Sequence, residues 1–525
     1  MEKFFNTAGP IKSNLHYYVD GQKRWNFQEV LNLIKQEKYF ILHAPRQTGK
    51  TTALLSLVDY INNEGNFEAI YANIETAQAA REDVQAAMKA IVSSIGGHHR
   101  YFTKKDWLND EWLDIYNKVQ AHSALESVLS YWTEKADKPT VLFLDEVDAL
   151  IGDTLISLLR QIRSGYNKRP LAFPIAIILC GVRDIRDYRI HSSKTKEIIT
   201  GGSAFNIKAE SLRLENFSKA HIQDLYEQHT NATGQVFEIG VLDLVWYYTQ
   251  GQPWLVNALA YEATYNMKEN RDRTKIITVA TIKSAKERLI LRRDTHLDQL
   301  TDKLQEPRVR RVIAPMLGGQ LTSSDHRPDD VQYVRDLGLI NVTRNGKISI
   351  ANAIYQEVIP RELTWTMQTG MTTEHLWYVQ PDGSLAIDKL LRSFQEFFRK
   401  NSEHWLERYA YKEAGPQLLL QAYLQRIVNG GGRIEREYGF GRGRTDLFIE
   451  YFYGDNQKQE IVLELKILYN SLESTIEEGL TQIKAYMDKC GTNQGHLLIF
   501  DRRSNRTWEE KIWEEGIEGI RVWGC

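Results

Sequence analysis

"HAPRQTGKTT", residues 43–52, decides how the N-terminal part of this chain is read. It sits inside "KYFILHAPRQTGKTTALLSLVDYI", an apolar run, a tight polar turn, and then apolar residues at helical spacing from Leu54 to Ile61. Strand, loop and helix in that order make a cradle for phosphate. The loop turns backbone N–H groups inward, a lysine reaches the terminal phosphates, a hydroxyl serves a divalent cation, and a helix N-terminus stands behind. Gly49, Lys50 and Thr51 supply these parts. Ala44 stands where the usual pattern has glycine, but that position mainly needs a small residue where the strand leaves the sheet. Pro45 fixes the entry of the loop.

A second stretch supplies the context the loop needs. "VLFLDEVDAL", 141–150, is an apolar strand ending in adjacent acids. Asp145 at such a strand end is expected to hold Mg²⁺ through water and the Thr51 hydroxyl, and Glu146 is placed to polarise a water for attack on a γ-phosphate. The two motifs together predict ATP binding by Ala44, Pro45, Arg46, Gln47, Thr48, Gly49, Lys50, Thr51 and Thr52, with hydrolysis served by Glu146. Further apolar runs at 67–74, 173–181 and 205–214, mostly separated by helical stretches, predict crossover units and a parallel sheet covered on both faces. Trp107, Trp112 and Trp132 read as rings of a packed lid over that sheet. The pair His98 and His99 lacks further ligands at metal spacing and reads as a solvated loop.

The rest of the chain sets limits. At 525 residues it is too long for one core and should form about three or four domains. A net charge of −2 gives no global basic field, so contact with nucleic acid would have to come from local clusters. Cys180, Cys490 and Cys525 lie far apart without pairing or zinc spacing, and no long apolar run or leader pattern occurs, so a cytoplasmic protein without membrane contact is expected. Residues 216–298 carry helical patterning broken by the Gly251 and Pro253 turn. After two more helices, Asn345-Gly346 between short apolar runs signals a hairpin, the pattern of a winged helix over 299–364. Aperiodic sequence follows.

A second chemistry lies in the last part. "GRGRTDLFIEY" and "EIVLELKIL" place Asp446 and the pair Glu464, Lys466 on expected neighbouring strands. Residues two apart in a strand share a face, so Glu464 and Lys466 point the same way. Two carboxylates converging there would bind Mg²⁺ or Mn²⁺, and a lysine beside them suits metal-assisted phosphodiester hydrolysis. "VLELK" is apolar around its charges, so partners or a metal are expected for them.

Two resemblances join these observations. "APRQTGKTT", "LFLDEVD", "GVRDIRDYR" and "GQPWLVN" resemble the AAA-like ATPases related to the STAND signalling P-loop proteins, over about residues 1–365. That resemblance implies that Arg183 and Asp184 sense the γ-phosphate and that Pro253 couples nucleotide state to a helical lid. The C-terminal set resembles the PD-(D/E)XK nuclease superfamily, with Thr445 in place of the proline. It implies Glu413 as an additional acid and Gln482 with Tyr486, one helical turn apart, as auxiliary residues. The expected fold is α/β: a P-loop ATPase core with a parallel sheet over 1–215, a helical lid over 216–298, a winged helix over 299–364, a linker and helix over 365–400, and a restriction-endonuclease-like α/β domain over 401–525.

The leading expectation is an ATP-controlled, Mg²⁺-dependent nuclease acting on nucleic acid, DNA favoured, with a role in genome defence or mobile-element biology. Arg433, Arg436, Arg442 and Arg444, and the run Lys283, Lys286, Arg288, Arg292, Arg293, Arg308, Arg310 and Arg311, could neutralise phosphates, although interspersed acids fit solvated helix faces equally well. The candidate reading helix near 328–338 is acidic at its start, so a protein partner fits there as well as a DNA groove. P-loop modules of this kind often assemble with copies of themselves. A second reading is a nucleotide-dependent switch or scaffold whose nuclease-like domain only binds DNA or a partner. A third, a DNA-stimulated motor, finds no helicase motif.

Overall fold

The computed structural model describes residues 2–183, 189–191, 198–200, 206–292, 302–317, 327–343, 345–360, 378–408, 415–428, 432–436, 447–453, 457–468, 471–503 and 505–525. Asp184, Arg293, Glu413, Arg442, Arg444, Thr445 and Asp446 lie outside them. The chain divides into two compact units, Met1–Arg292 with Val331–Asn341, and Arg293–Asp330 with Val342–Cys525.

The first unit is built on five parallel strands: β1 (Tyr39–His43), β2 (Glu68–Asn73), β3 (Thr140–Asp145), β4 (Ala176–Gly181) and β5 (Lys208–Arg213), in the order β2-β3-β4-β1-β5. The four apolar strands are nearly all buried because side chains of both parities are covered. Ile41, Ile70, Leu142 and Leu179 pack under α3 (Val84–Thr103), α5 (Ala121–Lys135) and α6 (Gly152–Gly165). Phe40, Tyr71, Phe143 and Ile178 pack under α1 (Phe27–Lys35) and α2 (Lys50–Glu64). This is the two-sided burial that continuous apolar strands of a parallel sheet require. The sheet is therefore the α/β P-loop core the sequence foretold, each expected run forming a strand within a few residues of its predicted ends.

The region around the tryptophans is mainly helical, with α4 (Trp107–Val119) completing a three-helix insertion, and Trp132 is fully buried. His98 and His99 lie on α3, and His99 is completely buried against the Trp107 ring, 4.5 Å between centroids. The solvated-loop reading of "GGHHR" is corrected on this point: the helix continues through both glycines, and the imidazole of His99 packs as an aromatic. Four further helices follow the sheet, α7 (Lys219–Thr233), α8 (Val241–Thr249), α9 (Pro253–Tyr261) and α10 (Val279–Arg292).

Next come α11 (Pro307–Leu317), α12 (Pro328–Asp336) and a two-stranded sheet of Ile340–Val342 with Ile348–Ile350. Its turn holds Gly346 at φ 75° and closes with Thr343 N–H donating to Lys347 O at 2.9 Å.

The second unit carries a six-stranded mixed sheet: β6 (Gly432–Arg436), β7 (Leu447–Tyr453), β8 (Gln457–Ile467), β9 (Gln494–Phe500), β10 (Trp513–Ile517) and β11 (Ile520–Gly524), in the order β6-β7-β8-β9-β11-β10. β6, β7 and β8 are antiparallel, whereas β9 runs parallel to β8. A parallel neighbour needs a crossover, and α15 (Leu472–Cys490) supplies it. Helices α13 (Ile387–Arg408) and α14 (Gly415–Val428) cover the face of Leu447, Leu463 and Phe500, and α15 covers the face of Phe448 and Val462. No described helix is long and apolar enough to cross a membrane.

Candidate functional site

The loop between β1 and α2 is shaped by residues whose conformation or bonds leave little choice. Gln47 and Gly49 both have left-handed backbones, φ 58° and 85°. At Gly49 glycine is required by conformation, and a Cβ would also stand close to Arg24 Nη1, at 3.2 Å. Thr48 Oγ1 donates to Pro45 O at 2.7 Å and braces the turn. Gly49 caps α2 without a side-chain bond, so the first amides of the helix face the loop's concave side with no intrahelical acceptor. The buried Lys50 ammonium donates to Ala44 O and Pro45 O, both at 3.0 Å. Thr52 Oγ1 accepts from Ile11 N–H at 3.2 Å.

Across the sheet, Asp145 ends β3 with no exposed surface. Its Oδ2 accepts from Thr51 Oγ1 at 2.8 Å and from the Tyr71 hydroxyl at 3.0 Å, and its Oδ1 accepts from Glu146 N–H at 2.9 Å. A buried carboxylate with three neutral donors is the arrangement expected of an anion kept for a cation, since burying it unpaired would be costly. Glu146 follows at φ 61°, a left-handed conformation that a non-glycine residue rarely adopts and that marks strain. Burial, with Asp148 adding to it, raises the Glu146 carboxyl above its ordinary range. Asp148 Oδ1 in turn accepts from Val182 N–H at 3.0 Å, tying the acidic turn to the end of β4.

Two residues that sequence reasoning missed also hold the loop. Arg24 donates to Thr48 O at 3.0 Å and to Glu215 O at 2.7 Å, and lies 4.6 Å over the Phe217 ring. Burial lowers its guanidinium to about 10. Gln252 caps α9 by accepting from Leu255 N–H at 2.6 Å and also donates to Gln47 O at 3.4 Å. Pro253 occupies the first position of α9, so the "GQP" turn reaches the loop through the glutamine and not the proline. A lone arginine and a glutamine beside a proline carry no sequence signal of their own. Arg183 lies 4.9 Å over the Tyr333 ring. Gly338 approaches Pro45 so closely that a Cβ there would fall 2.8 Å from the proline ring.

In the second unit, Glu464 and Lys466 share the face of β8 turned to α15. Lys466 Nζ stands 3.0 Å from Glu464 Oε1 and also donates to Gln482 Oε1 on α15. Glu464 is fully buried, and Tyr486 is buried beside Phe448, Val462 and Ile483. Glu464 and Gln482 thus both meet Lys466, bringing three of the expected residues together. Leu447, which follows Asp446, pairs with Leu463, which precedes Glu464.

The basic run reads differently once folded. In the first unit, Arg288 and Arg292 reach the buried Glu262 at 2.6 and 3.0 Å, and the Lys286 side chain is buried. In the second, Arg308 and Arg311 grip Asp330 at 2.9 and 2.8 Å, and Arg310 Nε donates to Gln305 O at 3.0 Å. These arginines bind internal acids and carbonyls, while Arg288, Arg292 and Arg311 keep about half of their side-chain surface exposed. Of Arg433 and Arg436 only the backbone of β6 is described.

Residues 6–359 match the family model of the AAA-like domain. Among solved structures, the chain is similar to a Walker-type ATPase of Pyrococcus abyssi at 15% identity and a TM-score of 0.48, covering 68% of this chain and 99% of that one. It is also similar to Cdc6p of Pyrobaculum aerophilum, at 15% identity and a TM-score of 0.37 over 65% of this chain and 94% of that one. The RuvB Holliday junction branch migration motor of Thermotoga maritima follows at 12% identity and a TM-score of 0.32, over 63% and 94%. No curated protein matches the chain.

Proposed function

This chain belongs to the AAA-like domain family, and from that premise we propose that it binds and hydrolyses ATP and uses the nucleotide to control a Mg²⁺-dependent nuclease in its C-terminal part, with DNA as the favoured substrate. The observation that carries the nucleotide reading is the 2.8 Å bond between Thr51 and Asp145, 94 positions apart in the chain. It joins the phosphate loop to the acidic strand end in one place.

Residues 44–52 hold the phosphates, Lys50 exchanging its two loop carbonyls for phosphate oxygens. The oxygen donors of Thr51 and Asp145 fit Mg²⁺, a hard cation. When bound, Mg²⁺ supplies charge neutralisation at the β- and γ-phosphates. Glu146, its carboxyl raised by burial, takes the proton of the attacking water. Arg24 and Gln252 tie the N-terminal segment and the turn before α9 to carbonyls of the loop, which gives a physical route from nucleotide state to the helical lid. Arg183 and Asp184 remain the γ-phosphate sensors implied by the family resemblance, and Pro253, beside Gln252, the residue that couples nucleotide state to the lid.

In the C-terminal part, Glu464 with Asp446 is the proposed cation-binding pair, Lys466 the group that stabilises attack, and Glu413, Gln482 and Tyr486 their auxiliaries. The order of a helix, three antiparallel strands, a crossover helix and a parallel strand supports this reading, as does the meeting of Glu464, Lys466 and Gln482. We assign 299–364 as a winged helix that contacts a protein partner or DNA. One observation favours a second reading, in which this domain binds without cutting: Lys466 already pairs with Glu464 Oε1 and donates to Gln482, contacts that a purely structural role also explains.

Labelled single- and double-stranded DNA and RNA, incubated with Mg²⁺ and each nucleotide, separate the two. Cleavage by the wild type that Glu464→Ala abolishes supports the nuclease. Binding without cleavage under every condition refutes it in favour of the scaffold.

A further inference from the structure

We propose that Tyr71 is the positioning residue of the cation site, the donor that keeps the Asp145 carboxylate aimed at Mg²⁺ when the nucleotide is bound. The inference rests on the reading of Thr51 and Asp145 as the cation-binding end of the nucleotide site, and goes beyond it by adding a residue that neither motif contains.

Asp145 has no contact with solvent, so its orientation is set wholly by protein donors. Oδ1 is held by a backbone amide, that of Glu146. Oδ2 is held by two side chains, Thr51 from α2 and Tyr71 from β2, at 2.8 and 3.0 Å. The Thr51 hydroxyl is the shared member of this pair, because it would also offer a lone pair to the cation. The Tyr71 hydroxyl has no such second duty. It sits on the neighbouring strand, where Tyr71 is paired in register with Phe143, two residues before Asp145. Its ring is backed by His98 and Phe102 of α3, with centroids 5.8 and 6.5 Å away and both edge-on. The His98 ring is itself bonded to Ser94 O through Nδ1 at 2.8 Å. The hydroxyl is thus placed by ring packing against α3, the kind of support an outer partner of a metal-binding carboxylate needs.

Tyr71→Phe keeps the ring and its packing and removes only the donor. The experiment titrates Mg²⁺ against binding of a non-hydrolysable ATP analogue by calorimetry, for wild type, Tyr71→Phe and Asp145→Asn, and repeats each binding measurement in EDTA. Loss of a partner that orients a metal ligand typically costs about tenfold or more in metal affinity. The Mg²⁺ concentration giving half of the metal-dependent gain in affinity should therefore rise about tenfold in Tyr71→Phe, while affinity in EDTA stays at the wild-type value; the metal-free protein should melt somewhat lower, since the buried carboxylate loses one donor. An unchanged Mg²⁺ midpoint in Tyr71→Phe, with a raised one in Asp145→Asn, overturns the proposal and leaves the site reading intact. A fall in EDTA affinity equal to the fall in Mg²⁺ overturns it as well, since that is what lost packing would do. If Asp145→Asn leaves the midpoint unmoved, the site reading itself fails, and the proposal with it.

Discussion

Glu68 offers a test of how the helical insertion is fastened to the sheet. It opens β2 with a side chain only 11% exposed, accepts from Trp132 Nε1 of α5 at 2.8 Å and from Lys105 Nζ at 3.1 Å, and stands 3.7 Å from His99 Nε2 of α3. Burial pushes its carboxyl up, but the His99 ring, the Trp132 N–H and the Lys105 ammonium together outweigh that and hold it at about 2. Against an ordinary value of 4.5, this is worth ~3 kcal/mol, and screening at the one-third-exposed Lys105 brings the figure nearer ~2 kcal/mol. A folded-state value below the unfolded one means that the contribution is complete above about pH 4.5 and is lost as the pH falls toward about 2. Urea unfolding of wild type and Glu68→Gln, followed through the tryptophan signal, should show the mutant less stable by ~2 kcal/mol at neutral pH, with the gap closing toward about pH 3. A gap that stays constant over that range refutes the reasoning, because it would assign the loss to shape or neutral hydrogen bonding and not to charge.

Gly251 has φ 74°, and a Cβ there would fall 1.9 Å from Phe217 O, whose own N–H donates to Gly251 O at 2.8 Å. Gly251→Ala should destabilise the first unit by ~2–4 kcal/mol, seen as a lower melting temperature, from the strained conformation and the displaced strand of backbone. Burial, against the pull of Asp388 and with that of Arg521, lowers His496 to about 4, and its Nδ1 accepts from Trp523 Nε1 at 3.2 Å. Since the unfolded imidazole protonates near 6.5, stability of the second unit should fall as the pH drops from about 6.5 to about 4, and His496→Gln should flatten that slope in unfolding measured across the range. Thr51→Val removes one donor from the buried Asp145 carboxylate. Its cost should be ~1–3 kcal/mol in stability, together with a loss of Mg²⁺-dependent nucleotide affinity read by calorimetry.

The nucleotide site was legible because its parts are local. A phosphate loop must pass from strand to turn to helix within a few residues, and "LFLDE" carries its own strand and its own acids. Glu464, Lys466 and Gln482 were legible for a similar reason, since strand and helix periodicity alone set their faces. Tyr71 was not, because a tyrosine inside "FEAIYANI" reads as core and only the neighbouring strand reveals its hydroxyl partner. The ion pairs of the basic run were hidden for the same reason. Glu262 lies 26 and 30 positions from Arg288 and Arg292, and no periodicity announces a pair at that distance. The hairpin of β10 and β11 was missed because Glu514 and Glu515 interrupt its apolar pattern and its turn uses a left-handed Glu518 before Gly519.

The central claim is that nucleotide at the loop governs phosphodiester cleavage some 400 residues later in the chain. Its most direct test is the cleavage rate of labelled duplex DNA by wild type and Lys50→Ala in Mg²⁺, each with and without ATP. The account predicts that ATP changes the wild-type rate, that Lys50→Ala loses ATP affinity, and that its cleavage no longer responds to ATP. Cleavage by Lys50→Ala that responds to ATP as the wild type does would contradict it.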